Sequence, residues 1–280
     1  MIRIITDSAA DFSRQELADR QITCVPMHIT FGEDTYTDGV DLPPELFWQR
    51  LTAGENPKTS QPSPDDFLTV FEDTAAAGDE AVCVLVSSAL SGTLQSAVIA
   101  KGMAAGASVY IVDSLTAAIA ERFLVLRACQ LRDEGTLRAS DIARELEAFR
   151  ERIRLYACLD TLEYLARGGR IPKAAANLGS LIQLKPLVTL SADGRVELAG
   201  KGMGRHRATD ALVKLACTHR ADPAFPIVPI YAQSADNCAP FVKKLCASGM
   251  PCRVEDALPI GPTISTHIGP GAFGVVYVEA

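Results

Sequence analysis

No apolar run in the 280 residues reaches the about 20 that a membrane-spanning helix requires. No basic segment ahead of an apolar core opens the chain, so no targeting segment is expected. Positive charge is also short. The 27 lysines and arginines against 34 aspartates and glutamates leave a formal net charge of −7, which argues against general nucleic-acid binding. Aromatic residues make up only 6%, with a single tryptophan, while 48% of residues are hydrophobic, so a sizeable and mainly aliphatic core is expected. The eight cysteines include no C-x-x-C pair. Cys238, Cys246 and Cys252 lie closest together, and no histidine is spaced to complete a zinc site with them. Buried free thiols in a reducing compartment, with no disulfide framework and no metal, are the expectation. These absences predict a soluble, cytoplasmic protein with no nucleic-acid partner and no stable membrane insertion.

Motifs for stand-alone chemistry are missing too. Leu90-Ser91-Gly92 lacks the first glycine of a G-x-S-x-G nucleophile elbow. There is no G-x-x-x-x-G-K-[ST] and no G-x-G-x-x-G after a strand, and Gly200-Lys201-Gly202-Met203-Gly204 has the wrong spacing for either. Neither catalysis nor nucleotide binding by the chain alone is expected.

What is present is organised around Ala81–Gln95. Val82–Val86 is a continuous apolar run suited to a strand buried on both faces. Ser87, Ser88, Ser91, Gly92 and Thr93 follow it, and a helical pattern begins near Leu94. Open α/β sheets place ligands at such strand ends, where free N–H groups and hydroxyls suit a carboxylate or phosphate. The same serines serve equally as helix caps. Two other predicted strands, Ile2–Thr6 and Ser108–Val112, also end in Asp/Ser pairs, Asp7-Ser8 and Asp113-Ser114.

The remaining elements follow a βαβ rhythm that implies a parallel sheet covered by helices. Ser13-Arg14-Gln15-Glu16 reads as a capping box, Pro43-Pro44 opens a helix carrying Trp48, and Ser63-Pro64 starts another. Ile22–Phe31 reads as a second strand, with Pro26 suggesting an edge or a bulge, Asp34–Asp41 as a polar loop, and Thr59-Ser60-Gln61 as a linker or part of a site. A helix is predicted over Leu115–Glu134. The character changes near Arg154, so two domains are expected, 1–153 and 154–280. In the second, Ser191-Ala192-Asp193-Gly194 marks a hairpin and a strand is predicted near Cys252–Asp256. Gly261–Gly271 reads as glycine-rich turns around His267.

His267 is a candidate binding residue or a locally satisfied structural histidine; His28, His206 and His219 read as structural or surface residues. Arg167, Arg170 and Lys173 form one basic cluster, and Lys201, Arg205 and Arg207 another. Each is a solvated face or a surface for docking or anions. A serine hydrolase of acyl esters would pair Ser91 or Ser88 with His267 and an acid, Asp7 or Asp113. A small-anion-binding regulatory module would need only a short polar cavity.

Five motifs in order along the chain resemble those of the DegV family, the fatty-acid-binding subunits of bacterial fatty acid kinase. They are Thr6-Asp7-Ser8, Lys58 to Ser63, Ser87 to Thr93, Leu162 to Ile171 and His267-Ile268-Gly269-Pro270-Gly271. The resemblance implies an α/β protein of two interwoven domains, with a parallel sheet in the N-terminal domain, a mixed sheet in the C-terminal one and the ligand between them. It implies a bound long-chain, palmitate-like fatty acid and no cofactor. The carboxylate is then met by Thr59, Ser91 and His267, with Ser60 and Thr93 as helpers. A separate ATP-dependent kinase subunit would phosphorylate that carboxylate for phospholipid synthesis, docking at Arg170 and Arg205. The chain would be a carrier, not an enzyme. Ala208-Thr209-Asp210 departs from the family, which is more lysine-rich there. Physical chemistry fits this reading, since each buried methylene contributes ~0.8 kcal/mol and the polar end need only orient the ligand.

Overall fold

The computed structural model describes residues 1–172 and 183–280. They fall into two compact units, Met1–Pro43 with Asn56–Glu151, and Pro44–Glu55 with Arg152–Ala280. A single division after residue 153 is therefore too simple, because the Trp48-bearing segment counts with the second unit.

In the first unit β1 (Ile2–Asp7), β2 (Ile22–Val25), β6 (Glu80–Leu85) and β7 (Ser108–Asp113) form an all-parallel sheet in the order β2-β1-β6-β7. Ile4, Ile5 and Ala81 to Leu85 are fully buried, as continuous apolar strands covered on both faces require. On one face the helices Pro64–Ala76 and Thr93–Met103 bring Phe67, Phe71, Ala97 and Ala100 against Ile5, Cys83 and Leu85. Helices Ile119–Glu134 and Ala139–Arg150 also pack on the sheet. The Ser13 and Ser63 capping boxes both form.

Three expectations for this unit change. Pro26 splits Ile22–Phe31 into two strands in different sheets, since proline has no N–H for a ladder. After it, β3 (His28–Phe31) joins β4 (Asp34–Thr37) and β5 (Lys58–Ser60) in a three-stranded antiparallel sheet. So Asp34–Thr37 is a strand and not a polar loop, joined to β3 through Gly32-Glu33 with Gly32 at φ 59°. The helix predicted from Leu115 begins only at Ile119, because Leu115 and Ala118 both have positive φ, which a right-handed helix cannot hold.

The second unit is a six-stranded mixed sheet in the order β10-β9-β8-β13-β11-β12. Its strands are β8 (Ile153–Cys158), β9 (Leu184–Leu190), β10 (Val196–Met203), β11 (Val228–Tyr231), β12 (Leu258–Pro259) and β13 (Phe273–Val278). The Ser191–Gly194 turn joins β9 to β10, with Gly194 at φ 77°. Helices Gly204–Ala216 and Ala239–Ala247 supply Leu212, Phe241 and Leu245 to a core with Tyr156, Phe273 and Tyr277. Trp48, Leu162, Leu165 and Ile268 belong to another cluster with Ala157, Leu159 and Val188. The strand predicted near Cys252–Asp256 is a single 3-10 turn, Val254–Asp256, with the short β12 after it. Cys217 and Cys246 are exposed, contrary to expectation, and all eight cysteines are free thiols. Among the described residues no helix is long and apolar enough to cross a membrane, and no group of His, Cys, Asp and Glu could hold a metal ion.

Candidate functional site

In the first unit the hydroxyl residues gather where β6 gives way to its helix. Buried Ser87 turns the chain, its carbonyl accepting from Leu90 and Ser91 N–H at 2.9 and 3.1 Å. Ser91 Oγ then lies 2.8 Å from Thr93 Oγ1 and accepts from Thr93 N–H at 3.3 Å. The N-cap of the Thr93–Met103 helix is Gly92, which has no side-chain oxygen to satisfy the free N–H groups. The capping role open to these serines is therefore only partly taken up.

Thr59 and Ser60 sit on β5, paired with Ile29 and His28. Alternation sends them to opposite faces, so Thr59 is half-buried and Ser60 exposed. The next residue, Gln61, donates from Nε2 to Ser96 Oγ at 3.1 Å. Its amide lies so close over Gly92 that a Cβ there would sit 2.1 Å from Gln61 Oε1. Gln61 thus ties β5 to the helix start, a role that residue type alone did not reveal.

The acids proposed as hydrolase partners are engaged elsewhere. Asp7 is buried, its two oxygens accepting from Ala9 N–H at 2.8 Å and Val86 N–H at 2.9 Å. Burial outweighs those bonds and pushes its carboxyl up to about 7. Asp113 Oδ1 accepts from the N–H groups of Ser88 and Leu115 at 3.2 and 3.0 Å. Both carboxylates hold strand ends in place. The hydroxyl beside Ser91 belongs to Thr93, which is no general base.

In the second unit His267 lies on a helix, Pro262–Ile268, and not in a glycine-rich loop. Gly261 precedes Pro262 at the first helical position, where the missing N–H costs nothing. This helix packs on the helix Glu163–Arg167. Two glycines permit the approach. A Cβ on Gly168 would lie 2.3 Å from His267 Nδ1, and one on Gly269 would lie 2.5 Å from the Tyr164 ring. Burial, and then the nearby Arg170 charge, lower the His267 pKa to about 4, so the imidazole is neutral at pH 7.

Arg170 is half-buried, with Nη1 donating to Gly168 O at 2.5 Å, and burial lowers its own pKa. It is not on an open surface turn. Arg167 pairs with Glu163 over the Tyr164 ring, and Lys173 lies outside the described residues. Lys201, Arg205 and Arg207 are all exposed. Arg205 is braced, with Nη2 donating to Asn237 O at 2.9 Å and Asn237 Oδ1 at 3.1 Å and the guanidinium 5.0 Å from the Phe273 ring centroid. His206 and His219 pair with Asp210 and Glu279, as surface residues do.

One expectation follows from this geometry. In the ligand-free protein the His267 ring should titrate near pH 4, followed by histidine NMR. Between its ordinary 6.5 and about 4 the unfolded chain takes up this proton and the folded one does not. The group's contribution to stability is thus fully present above pH 6.5 and is lost as pH falls towards 4. Arg170→Ala should raise the midpoint without reaching 6.5, since burial is the larger cause. A wild-type midpoint at 6.5 would show the ring to be solvated.

A family description reading "Uncharacterised protein, DegV family" matches residues 1–280. The DegV domain-containing protein YteA of Lactococcus lactis is 34% identical over 286 residues, covering 99% of this chain and 97% of that protein. A fatty-acid-binding DegV family protein from Thermus thermophilus has a solved structure with a TM-score of 0.87 and 33% identity, covering 100% of this chain and 99% of that one. The Streptococcus pneumoniae Fatty Acid Kinase B3 protein, solved with linoleic acid, shares the fold with a TM-score of 0.83 at 23% identity, covering 100% of both chains.

Proposed function

Because the chain belongs to the DegV family, matched over its whole length, we propose that it binds one long-chain, palmitate-like fatty acid and presents the carboxylate to a separate ATP-dependent kinase subunit. The observation that carries this reading is the Ser91–Thr93 hydroxyl pair at a helix start whose N-cap has no side-chain oxygen. Hydroxyls and backbone N–H groups at the positive end of a helix receive an anion well, and the group hydrogen-bonded to Ser91 Oγ is the Thr93 hydroxyl, which cannot act as a base on it. Thr59, Ser91 and the neutral His267 are assigned to the carboxylate, with Ser60 and Thr93 as supporting groups.

Neutral donors suit the chemistry. A carboxylate held by hydroxyls and a neutral imidazole N–H is oriented without a direct ion pair, so it stays nucleophilic. One of its oxygens bonds to the γ-phosphorus of ATP on the partner, the bond to the β–γ bridging oxygen breaks, and ADP leaves. The acyl phosphate then serves phospholipid synthesis. The acyl tail provides most of the affinity, at ~0.8 kcal/mol per buried methylene. Arg205, exposed and held in one place, and Arg170, beside His267, are assigned to docking of the kinase subunit.

Mass spectrometry of a solvent extract of the purified protein tests the binding. One fatty acid per chain is expected, and adding one to stripped protein should raise the melting temperature, because a ligand at 100 times its Kd stabilises by about 2.7 kcal/mol. No extracted lipid, together with no thermal shift on adding acids of several lengths, would overturn the proposal.

A further inference from the structure

We propose that Asn237 is a positioning residue for Arg205, its carboxamide joining that arginine to the loop that follows His267. The inference rests on the reading of Arg205 as a docking group for the kinase subunit.

Asn237 ends a tight turn after β11. Gln233 stands at φ 63°, an uncommon conformation for a residue with a side chain, and Ser234 Oγ accepts from Asp236 N–H at 3.2 Å. The turn closes with Asn237 N–H donating to Ser234 O at 3.0 Å. The carboxamide then uses every polar group it has. Nδ2 donates to Ala232 O at 2.8 Å and to Pro270 O at 3.0 Å, and Oδ1 accepts from Arg205 Nη2 at 3.1 Å. The backbone carbonyl of Asn237 accepts from the same Nη2 at 2.9 Å.

This pattern allows one orientation of the amide. Turned over, its oxygen would face two carbonyls and its NH2 would face a guanidinium, with repulsion on both sides. Pro270 follows Gly269, which caps the His267 helix. One amide therefore holds together the end of β11, the loop leaving His267, and an exposed arginine at the start of the Gly204–Ala216 helix. Aspartate could accept from Arg205 but would lose both donors, and alanine would lose all three bonds. A free arginine carries considerable rotamer entropy that docking must remove, so bracing it beforehand favours association.

Kinase-coupled turnover of the lipid-loaded protein tests this with Asn237→Ala, Arg205→Ala and the double variant. Asn237→Ala should raise the carrier concentration for half-maximal turnover about five- to tenfold, leaving kcat and bound lipid near wild type. Arg205→Ala should raise it further, and the double variant should match Arg205→Ala alone, because Asn237 acts through the arginine. Independent, additive losses would assign Asn237 a merely structural role and overturn the proposal. So would a normal Asn237→Ala beside an impaired Arg205→Ala, which leaves the docking reading intact. An unimpaired Arg205→Ala removes the docking reading and this inference together. A second measurement does not depend on how any variant folds. Arginine side-chain NMR of the wild-type protein should show hindered rotation of the Arg205 guanidinium, and a freely averaging group there would overturn the proposal.

Discussion

Gly168→Ala is expected to cut kinase-coupled turnover about 100-fold while the protein stays folded, the loss that a reacting group misplaced by about 1 Å can bring. Gly168 has φ −72° and ψ −12°, where alanine is at ease, so the backbone itself does not resist the change. The obstacle is the new methyl, which would stand 2.3 Å from His267 Nδ1 and 2.8 Å from Cε1. The ring has to shift by more than 1 Å to regain ordinary contact. Fatty acid should still enter, because its tail is unaffected, but with weaker affinity. His267→Ala alone should weaken carboxylate binding as well, and adding it to Gly168→Ala should cost little more if both act on one group. Wild-type turnover in Gly168→Ala would show that the imidazole takes no part in presenting the carboxylate.

Gly274→Ala is expected to unfold the protein or to cost it about 3 kcal/mol, the upper end of what overpacking a close-packed interior typically brings. Gly274 lies in β13, paired with Ala157 on β8 and with Ile230 on β11. A Cβ would sit 2.2 Å from Tyr156 O and 2.9 Å from Ala157 Cα. Those atoms are backbone of the adjacent strand, so no rotamer change relieves the clash and the strands must part. Urea denaturation reads the effect, with Gly102→Ala as the contrast. Gly102 lies in the helix Thr93–Met103 with nothing within 4 Å of its Cβ position, so there the substitution should stabilise by about 0.5–1 kcal/mol through helix propensity. A Gly274→Ala midpoint equal to wild type would mean that β8 and β13 are not packed as described.

The elements legible in the chain were those with local causes. Apolar runs marked β1, β6 and β7, and caps at Ser13 and Ser63 marked two helix starts. Each signal lies within a few residues of the structure it produces. The strands β4 and β5 carried no such mark, because Asp34–Thr37 and Lys58–Ser60 are polar and become strands only by pairing with β3. The helix bearing His267 was hidden for a related reason. It is only 7 residues long and flanked by glycine, and it is held by contacts such as Ser265 Oγ to Ile260 O and the packing on Tyr164 and Gly168.

By itself the sequence determined the fold class, the family and the hydroxyl-rich strand end at Ser87–Thr93, since periodicity, capping and motif order are properties of neighbouring residues. Only the tertiary structure decided that His267 is neutral, that Arg170 lies beside it half-buried, and that Gln61, Gly168 and Asn237 matter. Desolvation depends on everything packed around a group, and a glycine's missing methyl matters only when another segment fills the space. Asn237 lies 32 residues from Arg205 and 33 from Pro270, so no local pattern links them. The chain's path through the sheet brings the three together, and hydrogen bonds that depend on that path leave no periodic trace in the sequence.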